Sequence, residues 1–180
     1  MALEHALLVS LREQPASGLD LTRRFERSIG QFWRATHQQI YRVLGRMEQD
    51  GLVVSHTVEQ HGAANKRVYR VTPAGEAALA GWLAEPAAPD PARSDLAVKM
   101  RGASFGGREA VLDVVEQSLH EHRERLDRYR AMRARDYPDP SILTGLALDQ
   151  YLVLRGGILT EESYVAWLLE YLSAHGRETV

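Results

Sequence analysis

Apolar residues recur at intervals of three and four over most of this 180-residue chain and at intervals of two over one short stretch, predicting helices around a single β-hairpin. Leu3, Ala6, Leu7 and Leu11 line one face of a first helix. Leu8 and Val9 widen that face beyond what a small domain buries alone, so the excess is assigned to contact with another chain. Pro15 stops the helix, and Ser17-Gly-Leu-Asp20 predicts a capping box that opens a second, with Leu21, Phe25 and Ile29 inward. A turn over residues 30–35 leads to a third helix. Thr36 and Gln39 form its capping box, Ile40, Val43, Leu44 and Met47 its buried stripe, and Asp50-Gly51 its end.

The β-branched run from Leu52 to Glu59 and the alternation from Lys66 to Thr72 predict two strands, with His61–Asn65 as the tip between them. Thr72-Pro73 places a cap and a proline at the first turn of a fourth helix, whose apolar face is Leu79, Trp82 and Leu83. Three prolines in Pro86–Pro91 stop it, which sets a domain over residues 1–85, a connection over 86–93 and a second domain over 94–180. The second domain reads as all helix. Ser94 caps a helix to about Phe105, Gly106-Gly107 breaks it, and Arg108–Asp136 carries a seam of Val111, Val115, Leu119, His122, Leu126 and Tyr129. So narrow a seam requires partner helices. A last helical region from Ser141 to Ala174 is expected to be interrupted near Gly156-Gly157.

Composition alters this picture in one respect. The net charge of −2 argues against a polyanion partner, yet Arg23–Thr72 holds nine Lys/Arg against four Asp/Glu, while the chain from Pro86 holds twelve against fifteen. The basic segment is the one that carries the third helix and the hairpin. That helix presents Gln38, Gln39, Arg42 and Arg46 opposite its buried stripe, long donors suited to base edges and phosphates. Three helices followed by a hairpin match a winged helix-turn-helix, giving a mainly α fold with a small β-wing and an all-helical second domain. Gln38, Gln39 and Arg42 are expected at base edges. Thr36, Tyr41, Arg46, Lys66 and Arg67 are expected mostly at phosphates, with Arg70 completing the basic set of the wing. Tyr41 borders the buried stripe and reads equally as core, as phosphate donor or as both.

Other chemistries are not supported. The chain has no cysteine, which excludes disulfides and thiolate sites and fits a reducing cytoplasm. No apolar run is long enough to span a membrane and no secretory leader is evident. His120 and His122 stand two apart on a helix, so their rings point about 200° away from each other and cannot share a metal ion. His122 reads as a packed, hydrogen-bonded member of the seam. Neither catalytic residues, nor a metal, nor a cofactor are expected. Phe32 and Trp33 read as packing over the core, with Trp33 alternatively in a ligand or dimer surface, and Trp82 and Tyr151 are further aromatic candidates for a small-molecule pocket.

With these residues in view, the chain resembles the PadR family of bacterial transcriptional regulators, in its longer form with a helical C-terminal domain. The motifs are Gln39-Ile-Tyr-Arg-Val-Leu44, Asp50-Gly-Leu52, Lys66-Arg-Val-Tyr-Arg-Val-Thr-Pro-Ala-Gly75 and, more weakly, Ala166-Trp-Leu-Leu-Glu-Tyr171. The family commonly has an aromatic residue where Leu19 stands and a proline where Arg42 stands. The resemblance implies a homodimer clasped by its C-terminal helices and by the first helix of each winged domain. It also implies repression of an inverted-repeat operator, released by a small-molecule effector that nothing in the sequence identifies. Leu3, Leu7, Leu11, Val115, Leu119, Leu126, Tyr129, Trp167 and Leu168 are accordingly expected at the dimer interface. The rival expectation is a winged-helix module that binds another protein, which would not need the cationic face of the third helix.

Overall fold

In the computed structural model, which describes residues 2–27, 35–58, 66–87 and 94–177, helix α1 (Ala2–Glu13) packs against every other layer of the first of two units. The units are Met1–Pro89 and Asp90–Val180. Leu7, Leu8 and Leu11 lie in a core with Leu21, Phe25, Ile40, Leu44 and Met47, and Leu3 packs at its edge. The centre of the wide apolar face of α1 is thus consumed within its own unit, with Leu3 and Val9 partly buried at its margin. This corrects the expectation that Leu7 and Leu11 meet a second chain: α2, α3, α4 and the sheet surround α1 and leave these two side chains no outside surface, while Leu3, at the edge of the core, stays partly exposed.

Helix α2 (Gly18–Arg27) opens with the expected box, the Asp20 amide donating to Ser17 Oγ at 3.2 Å and the Ser17 amide to the Asp20 carboxylate at 3.3 Å. Helix α3 is His37–Gln49, capped by Thr36 and ending at Asp50 before Gly51, whose φ of 72° favours glycine. Strands β2 (Val53–Val58) and β3 (Lys66–Val71) pair antiparallel, Val58 opposite Lys66 and Val53 opposite Val71. A third strand, β1 (Ala16–Ser17), joins the free edge of β3 with Ala16 opposite Tyr69. Two residues are too short for alternation to show, so periodicity could not reveal it.

Helix α4 (Pro73–Leu83) begins at Thr72, whose Oγ1 accepts from the Gly75 amide at 3.1 Å and donates to the Gly51 carbonyl at 2.6 Å. The turn is close-packed: a Cβ on Gly75 would lie 2.1 Å from the Leu52 carbonyl oxygen. Leu79 is buried as expected, whereas Leu83 points to solvent and Trp82 is half-exposed with its ring stacked on His5 at 4.3 Å.

The second unit is built on two long antiparallel helices, α6 (Arg108–Asp136) and α7 (Gly145–Ala174), with α5 (Asp95–Gly102) beside the first turns of α6. Met100, Leu112, Val115, Leu119, Leu168 and Leu172 make one core, and Leu126, Tyr129, Leu154 and Ile158 a second. Between them lies a buried carboxylate, Glu161, held by His122 Nδ1 and by Arg125 at 3.0 Å. At the open end of the hairpin, Arg177 reaches Glu109, Asp113 and Glu116 of α6 at 2.9–3.0 Å. Val115, Leu119, Leu126, Tyr129 and Leu168, expected between chains, are therefore interior residues of this hairpin; α7 of the same chain supplies the partner that the seam requires.

Helix α7 also runs unbroken through Gly156-Gly157. Each glycine costs a helix about 1 kcal/mol relative to alanine, but here Gly157 is buried in the packed face together with Leu154 and Ile158, so tertiary packing carries the helix through. The outer side of α7 leaves Leu146, Leu152, Val153, Leu159, Tyr164 and Trp167 exposed. No helix among the described residues is long and apolar enough to cross a membrane.

Candidate nucleic-acid interface

A helix reaches a groove only if its start is fixed and its outer face is unobstructed. The start of α3 is fixed by reciprocal bonds: Thr36 Oγ1 accepts from the Gln39 amide at 3.2 Å, and Gln39 Oε1 accepts from the Thr36 amide at 2.8 Å. Gln39 therefore uses its carboxamide oxygen in the cap and retains only the NH2 group for an outside acceptor. Ile40, Val43, Leu44 and Met47 anchor the opposite side in the core.

The outward face, read every four and three residues, is Gln38, Arg42, Gly45 and Gln49. Gln38, Arg42 and Gln49 are exposed, and a Cβ on Gly45 would meet nothing within 4 Å, so a flat surface could approach the backbone there. Gln49 was not anticipated, although its spacing of seven from Arg42 is visible in the sequence. Arg46 turns from this row toward α1 and bonds Glu4 at 2.7 Å. Tyr41 leaves on the other flank, 42% exposed, its ring against His37 at 4.5 Å and so close to Gly18 that a Cβ there would stand 2.5 Å away. It is a surface residue with one side packed on the start of α2.

The three basic residues of the wing are not one cluster. Successive residues of a strand face opposite sides, so Arg67 shares the face of Tyr69 and Val71 while Lys66 and Arg70 lie on the other. Arg67 donates to Glu48 of α3 at 2.7 Å and to Ser55 of β2 at 2.6 Å, with its guanidinium 5.5 Å from the centre of the Tyr69 ring. Lys66 Nζ meets the Asp20 carboxylate at 2.6 Å and holds that carboxyl below its ordinary pKa, reinforced by the Ser17 bonds. Burial pushes the Tyr69 phenol up. Arg42 and Arg70 have no carboxylate partner among the described residues.

Of the aromatic pocket candidates, Trp82 belongs to the first unit, against His5, and Tyr151 to the second, tilted against Tyr137 at 5.7 Å. Trp33 lies outside the described residues, as do Ile29, Phe32, the hairpin tip 61–65 and residues 88–93 of the connection. Among the described residues no group of His, Asp or Glu is placed to hold a metal ion.

Comparison with known proteins places these features in a wider group. Residues 7–81 match the model of the transcriptional regulator PadR-like family, and residues 92–175 match the model described as virulence activator alpha C-term. A Mycobacterium tuberculosis protein named a probable transcriptional regulator is 50% identical, over 97% of each chain. The Bacillus subtilis negative transcriptional regulator PadR is 28% identical over 95% of this chain and 96% of its own. Its crystal structure with operator DNA superposes with a TM-score of 0.83, covering 97% of this chain and 99% of that one at 27% identity, and it has also been solved with p-coumaric acid. The Vibrio cholerae virulence activator AphA superposes at 0.79 with 29% identity over 97% and 98% of the two chains.

Proposed function

Because the chain belongs to the PadR-like family of transcriptional regulators, we propose that it binds an inverted-repeat operator as a homodimer and represses transcription until a small molecule releases it. It is a regulator and not an enzyme. The observation that carries the reading is the exposed row Gln38, Arg42, Gly45, Gln49 on a helix whose other side is locked in the core. A row of amides and one guanidinium, with no carboxylate among them, suits the acceptors of guanine and adenine in a major groove. Repression follows the name of the Bacillus relative, and a small-molecule partner follows its complex with p-coumaric acid.

Dimerisation is supported by the outer side of α7. Six large apolar side chains on one helix are more than a soluble monomer ordinarily leaves to water. Light scattering is expected to give twice the 20.2 kDa chain mass. Two copies related by a two-fold axis would present two α3 helices to successive turns of one DNA face, hence an inverted repeat.

Arg42→Ala should weaken operator binding by about 1–3 kcal/mol per half-site and relax the sequence preference at one position of each. Gel-shift titration against a panel of single-base operator variants would measure both. An unaltered affinity takes Arg42 out of the reading row. Gly18→Ala tests Tyr41 without touching it. The added methyl displaces only the end of a movable ring, so thermal stability should hardly change. If the hydroxyl serves a phosphate, operator affinity should fall by about 0.5–1.5 kcal/mol per half-site. Stable protein with parental affinity would assign Tyr41 to packing alone.

A further inference from the structure

We propose that Glu48 and Asp20 determine how sharply the protein discriminates its operator from other DNA, by holding the wing cations Arg67 and Lys66 away from phosphate. This rests on the DNA-binding reading and concerns the same face. Non-specific affinity for duplex DNA comes almost wholly from phosphate neutralisation, while discrimination comes from base contacts and shape. A regulator gains selectivity by limiting the first without losing the second.

The wing is built in that way. Arg67 is exposed and would be the natural phosphate ligand of β3, yet it closes a ring with Glu48 and Ser55 that ties α3, β2 and β3 together: Arg67 to Glu48 at 2.7 Å, Arg67 to Ser55 at 2.6 Å, Ser55 to Glu48 at 2.6 Å. The Tyr69 face beneath the guanidinium holds it in place. Lys66 is similarly engaged by Asp20, which is itself anchored by Ser17 at the head of α2. Each carboxylate comes from a different helix and reaches a different face of β3, so the two pairings are independent. Paired cations present little net charge to a passing phosphate. Arg42, in the base-reading row, has no such carboxylate among the described residues, which leaves its charge where sequence is read.

The test compares wild type with Glu48→Gln, which keeps the shape and a bond to Ser55 but removes the charge. Two duplexes are used: one enriched by the wild-type protein from a random pool, and a scrambled duplex of equal length. For Glu48→Gln the slope of log affinity against log salt on the scrambled duplex should steepen by roughly 2 per dimer, one phosphate for each released Arg67. Binding to the scrambled duplex should tighten more than binding to the enriched one, so their ratio falls. Adding Arg67→Ala should cancel the change, and Asp20→Asn should reproduce it through Lys66. A purely structural bracket would weaken both duplexes without moving either slope, and that result overturns the proposal, as do slopes equal to wild type in both carboxylate variants. Failure of the wild type to enrich any duplex would instead remove the DNA-binding reading beneath it.

Discussion

Gly75→Ala is expected to destabilise the first unit by about 3 kcal/mol, the upper part of the range for forcing an atom into a filled space. The new Cβ would stand 2.1 Å from the Leu52 carbonyl oxygen and 2.8 Å from Val71 Cγ1. The carbonyl cannot retreat cheaply, because it already accepts from the Thr72 amide at 3.1 Å, with the Thr72 hydroxyl that donates to Gly51 also 3.1 Å away. Thr72 in turn caps α4 through the Gly75 amide. One methyl group therefore sets the sheet, the end of the turn after α3 and the start of α4 against one another. At this size the thermal midpoint should fall by roughly 10 °C or more. Circular dichroism on heating would show it, and a midpoint within a degree or two of the parent would mean that the turn yields to a methyl group at little cost.

Glu161→Ala is expected to cost the second unit about 3 kcal/mol, the lower end of the range for breaking a buried ion pair. Glu161 is 6% exposed and sits between the two apolar cores of the α6–α7 hairpin. Its removal leaves His122 and Arg125 facing a gap with no acceptor. Both retain some access to water, which keeps the loss from being larger. Glu161→Leu should cost less, since it fills the space and lets the His122 and Arg125 side chains turn outward. Denaturant titration separates the variants. If alanine at 161 leaves the midpoint unmoved, the carboxylate is a bystander rather than the polar rivet between the cores.

Much of the fold was legible because it is written in local chemistry. Thr36 with Gln39, Ser17 with Asp20, and Thr72 with Pro73 each satisfy helix-end amides by residues at most three apart, and each helix begins where they stand. The buried stripe of α3 likewise needs no knowledge of what covers it. The identity of the covering layer is another matter. Apolar spacing shows that Val115, Leu119 and Leu126 must be covered but not whether by α7 of the same chain or by a second copy, and it is α7.

The same limit governs the candidate site. Periodicity picks out Gln38 and Arg42 and would have given Gln49, because a helical face is a property of one segment. It cannot show that Arg46, Lys66 and Arg67 face Glu4, Asp20 and Glu48, each pair joined only by the tertiary fold over 19 to 46 residues of sequence. Nor could composition show that a strand of two residues would close the edge of the wing hairpin.

Arg177 gives the helical unit a property of its own. One guanidinium answers three carboxylates set four and three residues apart on α6, so that corner holds both unlike charges in contact and like charges crowded on one face. Mobile ions screen attraction and crowding together. The clasp should accordingly be buffered against ionic strength, so that brine strong enough to strip the protein from a polyanion would leave its helical hairpin shut.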